Sequence, residues 1–157
     1  MEGVTYYIYI LHLAHGGYYV GCTKNIEKRL AVHFRSGGSI ATKEIKAVYI
    51  DRIYTVIDYK IGAMYAHVIA EVLIACRYCD IFGPHLVRGA QHGKGWNDSP
   101  SPNGLKMINR VRRLAKIEEG IALIQKIEPY NFEPFSYWLG KMNKNPSHFD
   151  LNSISLL

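Results

Sequence analysis

Residues 4–12 alternate in the manner of a half-buried strand and are rich in Tyr and Ile. A second short run, Tyr18 to Cys22, follows across Gly16-Gly17, which permits a turn, so the two runs predict a hairpin. With side chains alternating, Tyr7, Tyr9 and Leu11 share one face of the first strand, and Tyr6, Ile8 and Ile10 share the other. Tyr19 and Gly21 lie together on the second strand. The period then changes. Ile26, Leu30 and Phe34 recur every four residues, the buried stripe of a helix running from an Asn25 N-cap to about Arg35. Arg29 and His33 are also four apart and project together from an adjacent face. "SGGS" at 36–39 ends this helix.

Residues 46–56 read as a third strand, and Tyr59 to about Cys79 as a long, strongly apolar helix. Gly, Pro, Asn and Ser dominate 82–104, a loop-rich stretch. A helical region is predicted over about 104–128, broken near Gly120, and the tail after Pro129 turns aromatic and then polar, with a disordered end. The pattern predicts an α/β fold: a small, three-stranded, mostly antiparallel sheet flanked by helices, with a C-terminal helical extension. The expected division is a core over residues 1–95 and an extension over 96–157 packed on it.

The long apolar helix holds one acidic residue, Glu71, in "AHVIAEVLIA". A buried, unpaired carboxylate is expensive, and a metal ion or Arg would remove the cost. A Glu at the exposed edge of the helix fits the local pattern equally. His67 lies one turn earlier on the same face. Arg29 offers a planar cationic fork that matches phosphate. His and Tyr can move protons or orient water, and a carboxylate can hold a divalent ion against a leaving oxygen. Together these are the parts for cutting a phosphodiester.

Composition sharpens the picture in one direction. The chain has 157 residues, enough for one compact domain with a sizeable core. Its net charge is +6 and its pI about 9.2, a balance suited to a polyanion. Twelve Tyr and two Trp also permit base stacking. No apolar run suits a bilayer span, and the N-terminus lacks a signal-peptide pattern. Three cysteines form no visible disulfide framework, so a reducing compartment, cytoplasm or nucleus, is expected. Cys76, Cys79, His85 and His92 are four potential zinc ligands, but without a second C-x-x-C the plainer reading is buried thiols. Lys106, Arg110 and Arg113 share a helical face, either a phosphate-contacting stripe or a solvated surface. Lys43, Lys46 and Arg88 are further candidate phosphate contacts.

The order of these parts carries a resemblance. Tyr7-Ile8-Tyr9 and Tyr19-Val20-Gly21, separated by a short hairpin loop, are followed by "GCTKNIEKRLAVH", "SGGSIATK" and then Glu71 on a later helix. Over roughly residues 5–92 this resembles the GIY-YIG nuclease family. The first Gly is Tyr7 here, and the Ile of the second triplet is Val20; neither change removes a phenol. The resemblance implies metal-dependent hydrolysis of DNA, double-stranded, to a 5′-phosphate and a 3′-hydroxyl.

By the same resemblance Tyr9, Tyr19, Arg29, His33 and Glu71 are catalytic. Tyr9 would act as general base with a lowered pKa, and His33 could take its proton. Tyr19 would position water or phosphate, and Arg29 would stabilise the phosphorane charge. Glu71 would hold a single Mg2+ or Mn2+. Tyr7, Lys43, Gln91 and Asn97 are candidate supporting residues; Gln91, then Asn97, could stand for an Asn that many members carry after the Glu. Tyr6, Tyr7 and Tyr18 read as packing or rim residues. A restriction-like or mobile-element-like role, with a possible homodimer, is the leading expectation. The alternatives are a structure-specific repair nuclease and a catalytically inactive nucleic-acid-binding protein on the same scaffold, with RNA left open as substrate.

Overall fold

A computed structural model describes residues 3–131. Strands β1 (Thr5–Leu13) and β2 (Tyr18–Thr23) form the expected hairpin, with Tyr9 opposite Gly21. Helix α1 (Ile26–Ser36) begins at Asn25, whose side chain accepts from the Lys28 backbone N–H. Ile26 and Leu30 are buried, and Phe34 packs against the same cluster. A five-residue helix follows, α2 (Ile40–Glu44), closed at its start by a capping box between Ser39 and Thr42. Strand β3 (Ala47–Ile57) then lies antiparallel to β1 on the side away from β2.

The β1–β3 register shifts between Ile10 and Leu11: Ile10 faces Arg52 but Leu11 faces Ile50, so Asp51 is an inserted residue. The bulge goes with a buried Asp51 whose Oδ2 accepts the Tyr78 hydroxyl at 2.8 Å, and burial pushes its pKa up to about 7.

Helix α3 (Ala66–Phe82) starts later than the apolar pattern predicts. Residues from Lys60 instead form a two-stranded hairpin, β4 (Lys60–Ile61) and β5 (Met64–Tyr65), turning at Gly62 with φ +63°. Past α3, strand β6 (Val87–Gly89) runs parallel to β2. Helices α4 (Pro102–Leu114) and α5 (Glu118–Lys126) follow, and β7 (Glu128–Pro129) pairs with β3. The sheet order is β6-β2-β1-β3-β7, so the three expected strands form the centre of a five-stranded sheet.

The predicted break near Gly120 falls instead at residues 115–117. Gly120 lies inside α5, where a Cβ would run into the Leu114 carbonyl at the end of α4. Only a glycine lets the two helices turn back this tightly.

The sheet is covered on both faces. Ile8, Ile10, Val20 and Val56 pack with the apolar side of α3 and with Ile108, Val111, Leu123 and Ile124 of α4 and α5. Tyr9, Leu11, Leu13, Ile50 and Ile53 pack with Ile26 and Leu30 of α1. Helices α4 and α5 thus share one core with the sheet. Trp96, at the expected start of the extension, is tied across to α2: its N–H donates to Glu44 Oε1 at 2.8 Å and its Nε1 to the Ala41 carbonyl at 2.9 Å. The extension's residues 132–157 lie outside the described ones, as does the expectation of a disordered end. Among the described residues, no helix is long and apolar enough to cross a membrane.

Candidate active site

Tyr9 sits in the centre of β1 on the α1 side and is 1% exposed. Its ring leans across Gly21, where any Cβ would run into Cζ and Oη of the phenol. Gly21→Ala is therefore expected to displace Tyr9 and lower any cleavage rate by at least about a hundredfold, the scale of losing one aligned catalytic donor. An alanine variant cutting within a fewfold of wild type would show that the phenol position does not matter.

Two N–H groups converge on the Tyr9 hydroxyl. Arg29 Nε donates to Oη at 3.2 Å, and His33 Nε2 lies 2.9 Å from it. The other end of the Arg29 fork, NH2, donates to the Gly38 carbonyl at 3.0 Å. His33 is buried, and its Nδ1 receives the Gly38 backbone N–H at 3.3 Å and lies 3.0 Å from Thr42 Oγ1. A backbone N–H can only donate, so Nδ1 is the acceptor and neutral His33 carries its proton on Nε2, facing Tyr9. Thr42 is held by Ser39 through the α2 cap. Tyr19 completes the wall, with its ring centroid 6.3 Å from Tyr9 and 5.1 Å from His33. Burial raises the pKa of its hydroxyl, and the neighbouring Ser39 and Arg29 side chains pull it back down.

The electrostatics correct two expectations. The Tyr9 pKa rises instead of falling. Burial is the largest cause and the Tyr19 phenol adds to it, outweighing the Arg29 hydrogen bond and charge that pull it down. His33 does not stand as a proton acceptor either. Its Nε2 is already protonated, and burial, helped by the Arg29 charge, holds its pKa down to about 3.

Glu71 lies on α3, across the sheet from Tyr9. Its charge nevertheless acts on Cys22, Tyr9 and Tyr19, raising all three. The pairing of β6 with β2 stops at Val20, which leaves that edge unpaired at Gly21 and Cys22. Glu71 is half-buried, and it makes no hydrogen bond or ion pair with another described residue. Burial alone pushes its pKa up to about 7. Such a carboxylate gains from a cation. Among the described residues no group of three or more His, Cys, Asp or Glu converges to hold a metal ion. The donor set therefore fits a hydrated hard cation such as Mg2+, which takes one carboxylate and completes its shell with water and phosphate oxygens. It does not fit a tetrahedral zinc cage.

The zinc reading of Cys76, Cys79, His85 and His92 finds no such convergence. His85 is exposed on a 3-10 turn over 84–86, while Cys76 Sγ and His92 Nε2 lie 3.9 Å apart as a buried pair. His92 Nδ1 lies 2.7 Å from the Ala90 carbonyl, and its backbone N–H donates to Gly89 O at 2.9 Å. These bonds hold an unusual turn. Ala90 (φ +48°) and Gln91 (φ +72°) are consecutive non-glycine residues in left-handed conformation, each costing on the order of 1–2 kcal/mol.

Arg88 is corrected from a DNA contact to a structural residue. It is 6% exposed, and its guanidinium donates to the carbonyls of Gly95, Pro84, Val87 and Trp96 at 2.7–3.1 Å. Lys43, Lys46, Lys106, Arg110 and Arg113 are exposed, with Ile108 and Val111 buried on the opposite side of α4. Asn97 is exposed, and Gln91 stands at the rim of a cavity beside Tyr19. Tyr7 packs edge-on to Tyr130, Tyr6 stacks on His67, and Tyr18 is buried against Tyr78. His67 itself pairs with Asp58 at 3.0 Å. Sequence reasoning missed Ser39, Thr42 and Gly38, which fix His33. The signal available was the S-x-x-T spacing of a capping box.

The family profile of the GIY-YIG catalytic domain matches residues 5–66. That segment contains Tyr9, Tyr19, Arg29 and His33, and it ends before Glu71. Over that segment, well under half of the chain, the protein is similar to the catalytic domain of the GIY-YIG nucleases. No curated protein and no solved structure matches the chain.

Proposed function

We propose that the chain is a metal-dependent DNA endonuclease that hydrolyses a phosphodiester to a 5′-phosphate and a 3′-hydroxyl. The observation that carries this reading is the Tyr9 hydroxyl, which takes an N–H from Arg29 and faces the protonated Nε2 of His33 within electrostatic range of Glu71, a carboxylate with no hydrogen bond or ion pair among the described residues.

Glu71 would hold one Mg2+ or Mn2+, which would supply charge neutralisation for the scissile phosphate and the leaving oxygen. Tyr9 acts as general base in its ionised form. The two N–H donors on Oη stabilise that phenolate, and the water proton passes to it. Arg29 keeps its charge and directs its remaining N–H groups to the pentavalent phosphate, where preorganised charge is most effective. Tyr19 positions water or a phosphate oxygen through its hydroxyl. Lys43, Lys46 and the Lys106–Arg110–Arg113 face of α4 support binding of a double-stranded polyanion, as does the net charge of +6.

The direct test is supercoiled plasmid with Mg2+, with Mn2+ and with chelator. Metal-dependent nicked or linear products are expected. A gel shift without cutting under any condition would leave the inactive-binder reading instead. The Tyr9 shift also sets a pH dependence. The phenol pKa lies above its ordinary 10, so the reactive phenolate is a small fraction at neutral pH. The cleavage rate at saturating metal is expected to rise about tenfold per pH unit between roughly pH 7 and 9, with no plateau. A plateau at neutral pH would move the base role off Tyr9.

A further inference from the structure

We propose that the cavity beside Tyr19 receives an unpaired, unstacked nucleobase of the strand being cut, so that the preferred substrate is DNA with an unpaired nucleotide next to the scissile phosphate. This rests on the nuclease reading above and names the substrate for it. The cavity has a volume of about 620 Å³ and is lined by Tyr19, Ser39, Ile40, Gln91, Lys94 and Asp98 among others. That volume is in the range of small-molecule sites, roughly 300–1,000 Å³. Tyr19 and Ser39 belong also to the active-site network, so an occupant would be an immediate neighbour of the reacting phosphate.

The lining selects the ligand class. A phosphate subsite would gather positive charge, whereas here the Lys94 ammonium is offset by the Asp98 carboxylate. The remaining polar groups are hydroxyls and the Gln91 amide, which offer both donors and acceptors. The apolar part is the Tyr19 ring and Ile40, a large hydrophobic side chain left 49% exposed. Neutral faces with a donor–acceptor edge describe a nucleobase, and enzymes that hold one outside the stack use stacking surfaces and edge hydrogen bonds of this kind.

The Gly89–His92 turn points the same way. Two left-handed non-glycine residues persist because His92 holds the turn to Cys76 and to the Ala90 carbonyl. The strained residues are those that line the cavity, which is where such strain is commonly kept for binding. Gly89 completes the wall: at φ +83°, any Cβ there would run into the Val20 carbonyl and crowd the Tyr19 ring.

The test uses the full chain with Mg2+ and end-labelled duplexes of one sequence. One is fully paired. The others carry a single bulged nucleotide walked along the strand, and a further set carries an abasic sugar at the same bulge. One bulge position is expected to raise kcat/KM at least tenfold over the paired duplex, and the abasic bulge to lose most of that gain. Ile40→Ser, which removes the exposed apolar wall, and Ser99→Trp, which fills the cavity from its rim, should each bring the bulged-to-paired ratio below about threefold. Equal rates on paired and bulged DNA at every position would overturn this proposal while leaving the nuclease reading intact. So would an abasic bulge as good as the intact one, or a ratio unchanged in both variants. Failure to cut any DNA would overturn the nuclease reading and this proposal with it.

Discussion

Glu71→Gln is expected to abolish cleavage and, at alkaline pH, to make the protein more stable. The carboxylate pKa is raised from an ordinary 4.5 to about 7 by burial, with no partner charge among the described residues to offset it. Folding therefore favours the protonated form. The stability this contributes is fully present below the unfolded pKa, and it is lost as pH rises through about 7. At pH 8 the ionised group is a cost, and the neutral amide removes it. A gain on the order of 2 kcal/mol follows from a shift of this size, or several degrees in melting temperature for a chain of this length.

The gain should fade toward pH 5, where wild-type Glu71 is itself neutral. The wild-type to variant difference isolates Glu71 from Asp51, which titrates in the same range in both proteins. Mg2+ should raise the wild-type melting temperature at pH 8 and leave that of Glu71→Gln unmoved. DNA binding should survive in the variant. Metal-dependent cutting by Glu71→Gln, or an equal Mg2+ shift in both proteins, would remove Glu71 from metal binding. A variant no more stable than wild type at pH 8 would mean that burial does not hold the carboxyl neutral.

Arg29→Lys should lower kcat by at least about a hundredfold while changing the DNA KM much less. Charge is conserved in this substitution, but the fork is not. Arg29 Nε donates to Tyr9 Oη while its NH2, on the far side of the guanidinium, donates to the Gly38 carbonyl. One ammonium cannot span both acceptors and still present a donor to phosphate. The Tyr9 phenol also loses the hydrogen bond that pulls its pKa down. Single-turnover rates on one duplex would read the effect. A lysine variant within tenfold of wild type would mean that a point charge suffices.

The elements with a sustained period were legible in the sequence. β1, β2, α1 and β3 fall within a residue or two of their predicted bounds, because alternating or four-residue apolar spacing reflects the face each element buries. α2, β6 and β7 were not legible. At five, three and two residues they are too short to show a period, and neighbouring chain holds them in place. The predicted start of α3 lies too early because Ile61, Ala63 and Met64 continue the apolar character of the helix, and the one punctuation mark in the 60–65 hairpin is Gly62. At the candidate site, the residue types pointed to phosphodiester chemistry. Their protonation did not follow, since the Tyr9 and His33 shifts come chiefly from burial, which belongs to the whole packed layer. Arg88 shows the same limit: a cation in a Gly-rich loop looks exposed until four carbonyls close around it.

The helix α3 carries both the carboxylate that reaches the phenols and, five residues later, the thiol that steadies the strained turn through His92. An α-helix advances 1.5 Å and turns 100° per residue, so five residues set a separation of about 7.5 Å along its axis. Adding or deleting one residue between Glu71 and Cys76 would swing one of them a quarter-turn off its face. The helix is thus a ruler between the candidate active site and the cavity wall. In sequences of other chains built this way, the Glu-to-Cys interval should stay constant even where the flanking loops change length.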